Sequence, residues 1–366
     1  MEKEKILNVS SFRYAGATDD DAISACLQER KKYNNATIIF DGPDYWISRA
    51  ICLMSNTTVI IDGCAIRQKD ETFDNVFRGS NLILDPADPF GMPLQCKLIE
   101  NVRILGKNGA AIIGPTRNAV GYNYRMDEYQ LKVGDFWGWR TLAISLSNCT
   151  GFEVGGIKFL QSRCWTMSFD MSCNGYIHDI FVDSRVKNGD AVNFRSGCHN
   201  CVVENLTGFT SDDSVACTAY FTPGRVVKNR LYPMEPSLCI QDRTVEQKNI
   251  SHITIRNVKT GGRHHGVICL ASNGCQVHDI YIDNICEEPG NVLEPWREAT
   301  VKIYTGYGAG YTFGDIHDIT VKNVRSVYAD KAVYCNAQVK NVELTNISHE
   351  SGRTFLLDYP EGITIT

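Results

Sequence analysis

Val203-Glu204-Asn205-Leu206, Ile255-Arg256-Asn257-Val258, Ile282-Asp283-Asn284-Ile285 and Val321-Lys322-Asn323-Val324 are copies of one short unit. In each, two apolar residues flank a polar pair that ends in Asn. Looser copies are Val154-Gly155-Gly156-Ile157, Ile177-His178-Asp179-Ile180 and Leu344-Thr345-Asn346-Ile347. Their first positions lie 23, 26, 52, 27, 39 and 23 residues apart in chain order. The 52 reads as two periods, and the 39 as one period plus an insertion of about a dozen residues.

A period of about 25 residues, made of short β-branched runs broken by Asn, Asp and Gly, fits one turn of a solenoid. Alternation along a strand sends one set of side chains inward and the other outward. No turn buries its inward face alone, so neighbouring turns stack. The expected fold is all-β: a single-stranded right-handed parallel β-helix with a short N-terminal capping helix, in one domain spanning 1–366. Asn at the corners suits left-handed turns, and stacked Asn side chains can form ladders. The same chemistry accounts for seven Asn-x-Ser/Thr sequences, such as Asn148-Cys149-Thr150, without glycosylation. Leucine-rich and ankyrin repeats fit less well, because no helix-length apolar pattern lies inside the period.

An open solenoid end exposes bore and unpaired backbone, so it needs a cap. Thr18-Asp19-Asp20-Asp21 before Ala22-Ile23-Ser24-Ala25-Cys26-Leu27 reads as an N-capped amphipathic helix over roughly 15–32. Ala36-Thr37-Ile38-Ile39-Phe40 and Thr58-Val59-Ile60-Ile61 read as the first turns. The stretches 114–138 and 221–247 break the period and read as loop insertions lining a cleft.

The 366 residues are 43% hydrophobic and 22% charged, which supports a large core and argues against general disorder. Thirty-seven Lys and Arg against 42 Asp and Glu give a net charge of -5, unlike a duplex-binding protein. No run reaches the roughly 20 apolar residues of a membrane helix. The start, Met1-Glu2-Lys3-Glu4-Lys5 before Ile6-Leu7-Asn8-Val9, carries no apolar leader segment. Fifteen cysteines, an odd number, do not suit a secreted disulfide framework. Reduced packing thiols and a cytoplasmic setting are expected, with no nucleic-acid or membrane partner.

Asn188-Gly189-Asp190 and Ser211-Asp212-Asp213 place Asp190 22 and 23 residues before the acidic pair, about one turn. Positions one turn apart in a β-helix share a face, roughly 4.8 Å apart along the axis. The three carboxylates are expected to cluster, repel and raise at least one pKa. A protonated carboxyl beside an ionised one is what glycosidic cleavage requires. Solvated turn acids are the plain alternative for either motif alone. Gly261-Gly262-Arg263-His264-His265-Gly266 returns to the same phase, where His265 can hydrogen-bond a carboxylate. In Val301-Lys302-Ile303-Tyr304, Lys302 and Tyr304 share one side of a strand. No metal site is expected, since no second His or Cys stands at ligand spacing.

In order and phase these motifs resemble those of the polygalacturonase family of glycoside hydrolases, within the pectin-lyase-like β-helix class. That family reads Asn-Thr-Asp, Gly-Asp-Asp or Gln-Asp-Asp, Gly-His-Gly and Arg-Ile-Lys. The segment from Arg140 through Asn148-Cys149, Ile157-Lys158-Phe159, Ser162 and Trp165 is similar too, as is the opening Phe12-Arg13-Tyr14-Ala15-Gly16-Ala17-Thr18-Asp19-Asp20. The resemblance implies hydrolysis with inversion, no cofactor, and an oligosaccharide or polysaccharide substrate related to pectin. It makes Asp212 the general acid, Asp190 and Asp213 the pair that activates water, and His265 their tuner. Asn188, Arg263, His264, Lys302 and Tyr304 would bind sugar.

The departures bear on the substrate. Gly189 replaces Thr, His264 replaces Gly, and Lys302-Ile303-Tyr304 keeps one cation where Arg-Ile-Lys has two. Arg and Lys are not equivalent for clamping a carboxylate. Arg263 is a candidate replacement for the missing charge. A uronide, a modified uronide, a rhamnogalacturonan fragment and a neutral glycoside all stay open, as does oligomeric state. Other readings are a lyase, epimerase or intramolecular glycosyl transferase on the same scaffold, or a β-helix that binds glycans without catalysis.

Overall fold

The computed structural model describes every residue except 1–3, 71, 73, 88–92, 117–140, 187, 221–242, 289–295 and 307–309. The expected insertions, 114–138 and 221–247, and Arg140 therefore lie largely outside the described residues. What is described is a right-handed parallel β-helix. Twenty-five strands join in one hydrogen-bonded sheet system, and a small antiparallel pair, Leu82–Leu84 with Pro93–Cys96, stands apart.

The repeat is the register of this sheet. Val154, Ile177, Val203, Ile255, Ile282, Val321 and Leu344 are successive Cα partners down one wall. All seven are buried in the bore. Burying each such side chain stabilises the fold by about 1.5–3 kcal/mol. Because Val203 pairs directly with Ile255, the 52-residue interval is one turn and not two. Sequence spacing alone therefore overstates the number of turns there. The 39-residue interval is likewise one turn, with Ile282 opposite Val321.

Two corners carry the asparagines. Asn56, Asn101, Asn174, Asn200 and Asn341 occupy one, and Asn205, Asn257, Asn284, Asn323 and Asn346 the other, all with φ between 52° and 58°. Asn tolerates this left-handed region because its short amide bonds locally. The amides also form a ladder. Asn257 donates to Asn205 at 3.1 Å, Asn284 to Asn257 at 2.8 Å and Asn346 to Asn323 at 2.6 Å. Asn323 departs from the ladder and donates to Asp283 at 2.7 Å.

The chain enters by a strand, Lys5–Asn8, which pairs with Ala36–Asp41 ahead of the first expected turn. The capping helix runs Asp19–Arg30. Thr18 accepts the Asp21 N–H, and Asp21 accepts the Thr18 N–H at 3.0 Å, a reciprocal box that satisfies two helix-end donors. Ala22, Ile23 and Cys26 close the bore. The buried face is not purely apolar as an amphipathic reading implies, because Arg30 is buried and donates to Thr57 Oγ1 at 2.9 Å and Ser55 O at 2.7 Å. These bonds tie the cap to the next turn.

The fourteen described cysteines are free thiols. Cys217, Cys269 and Cys335 fall in one bore stack with Phe194 and Ile303. Cys198 and Cys201 stand at C-x-x-C spacing, yet both are buried thiols that donate to the carbonyls of Phe169 and His199. They serve as small apolar side chains in the bore.

The corner geometry predicts that Asn257→Ala lowers unfolding free energy by about 1–2 kcal/mol, from lost ladder bonds and left-handed strain. Asn257→Gly should retain part of that loss because Gly accepts positive φ. Urea titration of both variants checks this, and equal stabilities for wild type and Asn257→Ala would contradict it.

Candidate active site

The acidic turns lie where one wall ends and the next begins. Asp190 and Ala191 precede the strand Val192–Arg195, and Asp212 and Asp213 precede Val215–Tyr220. The next turns bring the middle of Ile250–Ser272 and the start of Trp296–Thr305 alongside. Backbone bonds tie these turns together. Thr166 N–H donates to Asp190 O at 2.8 Å, Ala191 N–H to Asp213 O at 3.1 Å and Ser214 N–H to His265 O at 2.9 Å. The phase shared by the motifs thus becomes contact between adjacent turns.

Asp190, Asp212 and Asp213 each offer a carboxylate oxygen within 4.8 Å of the others. Among the described residues, this is the group of His, Cys, Asp and Glu close enough to hold a metal ion, and its ligands are hard oxygens. Asp190 is only 4% exposed, and its Oδ1 has no hydrogen-bond partner. Burial, then the charges of Asp212 and Asp213, push its pKa well above the usual carboxylate range. Asp212 and Asp213 are half-buried, and Asp212 Oδ1 accepts the Asp213 N–H at 3.1 Å.

His265 is 5% exposed and touches carboxylates on both sides, Nδ1 to Asp213 Oδ1 at 2.6 Å and Nε2 to Glu298 Oε2 at 3.3 Å. A neutral imidazole has one N–H to donate, so two carboxylate acceptors call for the imidazolium. Burial by itself lowers the His265 pKa, but the charge and hydrogen bond of Asp213 and the bond to Glu298 outweigh it, and the net shift is upward. Glu298 also accepts from the Lys302 ammonium. The hydrogen bond from His265, then that from Lys302, brings Glu298 down to about 2. Charges therefore alternate from Asp213 through His265 and Glu298 to Lys302.

Lys302 and Tyr304 do share a side, with the Lys302 ammonium 4.1 Å from the Tyr304 ring centroid and 5.2 Å from that of Tyr334. Asn188 and His264 both adopt left-handed backbone, with φ 55° and 56°. Burial lowers the His264 pKa, and the neighbouring cations add to this. Arg263 is exposed and pairs in register with Trp296, six positions before Lys302 on that strand. Gly189 has a packing reason: a Cβ there would lie 2.3 Å from Ser184 Oγ and 2.4 Å from Ser211 Oγ. Threonine does not fit unless those hydroxyls move.

Glu298 was not singled out in the sequence, although i, i+4 alternation from Lys302 puts it on the same strand face. Nor was the ion pair beneath the site. Arg297 and Glu287 are fully buried 3.9 Å apart. Arg297 reaches Ser214 Oγ at 3.4 Å, next to the acidic pair, and Thr260 Oγ1 at 3.3 Å. Glu287 accepts the N–H groups of Val327 at 2.6 Å and Tyr328 at 2.8 Å. Only contacts between turns reveal this pair.

No family model matches the chain. A relative from Aspergillus terreus named "Probable exopolygalacturonase B" is 25% identical over 232 residues, which is 62% of this chain and 44% of that one. The chain thus spans less than half the length of that relative. Among solved structures, the Family 28 exopolygalacturonase of Yersinia enterocolitica is similar with TM-score 0.54 and 13% identity, over 99% of this chain and 77% of that one. The polygalacturonase of Erwinia carotovora is similar with TM-score 0.55 and 14% identity, over 99% and 96%. The fold is polygalacturonase-like, of the pectin-lyase-like kind.

Asp190 makes stability fall with pH. Its folded pKa lies above its unfolded value, so its contribution is fully present below about pH 4 and is lost as pH rises through the folded pKa. Asp190→Asn removes this loss. Its melting temperature should match wild type near pH 4 and exceed it at pH 8, as read by calorimetry. A wild type equally or more stable than the variant at pH 8 would contradict the shift.

Proposed function

We propose that the protein is a glycoside hydrolase whose acid and base are the Asp190, Asp212 and Asp213 carboxylates. The observation that carries this reading is their convergence within 4.8 Å from two successive turns, one buried and two half-exposed. Three carboxylates so close do not all ionise, and the trio keeps a proton that belongs to the group rather than to one residue. Burial favours Asp190 as its holder. A sugar covering Asp212 removes water from it as well, and this draws the proton to Asp212.

Asp212 then donates that proton to the departing glycosidic oxygen. Asp190 and Asp213 hold a water between them, deprotonate it as its oxygen joins the anomeric carbon, and the trio regains one proton. Oxygens within 4.8 Å of one another suit this role, since one water with two hydrogen bonds of about 2.7 Å can bridge them. His265 bonds Asp213 Oδ1 and fixes its direction. Inversion follows from the resemblance. The close spacing also admits retention, whose carboxyls lie about 5–5.5 Å apart. The anomeric configuration of the first product, read by NMR, separates the two.

A lyase or epimerase needs a base near an acidic C–H and a cation for the enolate. Lys302 is committed to Glu298, which disfavours those readings. Action on chain ends follows the relatives' names, and a cytoplasmic setting with imported oligosaccharides as substrate agrees with the free thiols.

Asp212→Asn should reduce turnover by at least about a thousandfold while the melting temperature changes little. A fully active variant in a panel of α- and β-linked oligosaccharides would refute the assignment. EDTA should leave the rate unchanged. Loss of activity on chelation, with an ultraviolet-absorbing unsaturated product, would move the protein to the lyase class.

A further inference from the structure

We infer that the subsite beside the carboxylate trio takes a neutral sugar rather than a uronate, because Glu298 already occupies Lys302, the cation that would hold the uronate's carboxylate. The inference rests on the glycoside hydrolase reading and specifies its substrate class.

Lys302 is buried, and its ammonium has three donors. The Glu298 carboxylate takes one, and the rings of Tyr304 and Tyr334 cover further directions. The position two residues on, which is a second cation in the resembled motif, is the uncharged phenol Tyr304. Tyr304 packs against the apolar group Ala216, Ile268 and Leu270, which holds its ring in place. Among the described residues the further cations near this space are His265, shared between Asp213 and Glu298, Arg195, whose charge acts on Asp190, and Arg263, whose charge acts on His264.

A uronate carboxylate arriving at Lys302 would therefore lie against Glu298, with Asp212 and Asp213 nearby. It would either displace Glu298 from two cations or share them with it. Unpaired like charge of this kind is a device of rejection. A hydroxymethyl or methyl group at the same carbon brings no charge, and its C–H face suits the Tyr304 ring. Glu298 does the work of the missing substrate carboxylate and so sets the specificity.

The test uses matched nitrophenyl galactosides and galacturonides of both anomers, with wild type, Glu298→Gln and Glu298→Gln/Lys302→Met. Wild type should favour the neutral member by at least roughly tenfold in kcat/KM. Glu298→Gln should shift the ratio toward the uronate by a similar factor, through KM for the uronate, and Lys302→Met should cancel the gain. Calorimetric binding of the same pairs to Asp212→Asn protein reads the preference even if none is hydrolysed. A wild type that prefers the uronate, or a ratio unmoved by Glu298→Gln, overturns the inference. Reversal of a uronate preference by Arg263→Ala would identify Arg263 as the operating cation and also overturn it. Hydrolysis of uronates alone defeats this inference and leaves the hydrolase reading standing. Binding of the neutral sugar without hydrolysis does the opposite.

Discussion

The ladder between successive turns fixes everything else in this molecule. Each strand pairs in parallel with its counterpart one turn away, so residues of equal phase are held about 4.8 Å apart whatever the sequence distance between them. Val203 and Ile255 are neighbours across 52 residues for the same reason that Val154 and Ile177 are neighbours across 23. The asparagine corners supply left-handed bends that keep every turn in phase. The bore residues supply the apolar burial that rewards keeping it. A one-residue slip in any turn would send its bore residues to solvent and move its polar corner out of line.

The site is a consequence of that phase. Asp190, Asp213 and His265 are joined by the backbone bonds that stack their turns, so the carboxylates meet without any long side chain reaching across. Crowding buried acids is unfavourable, and the fold offsets it with charge alternation. Asp213, His265, Glu298 and Lys302 form a chain in which each charged group touches one of opposite sign. Beneath it, Arg297 and Glu287 tie the acidic turn to the loop Val327–Ala329. This pair lies beneath a buried Asp190, whose pKa is raised, beside two half-exposed carboxylates.

Much of this was legible in the residues. The apolar-polar-Asn-apolar unit is the bore and corner of each turn, and it maps onto the sheet register residue for residue. The interval between Asp190 and the Asp212-Asp213 pair matched one turn and placed them together. The 52-residue interval misled, because one long turn spans as many residues as two plain turns. Glu298 escaped because its partners, His265 and Lys302, lie on two different turns. Arg297 and Glu287 escaped because buried ion pairs carry no periodic signal. The same two-residue alternation that placed Lys302 beside Tyr304 reaches Glu298 two steps further back.

The central claim is that the three acids form the place where a glycosidic bond is broken. A crystal structure of Asp212→Asn protein with a bound oligosaccharide tests it most directly. The account predicts a glycosidic oxygen within hydrogen-bond reach of residue 212, and an anomeric carbon facing a water held by Asp190 and Asp213. A glycan bound on another face of the solenoid, with the trio open to solvent and untouched, would contradict it.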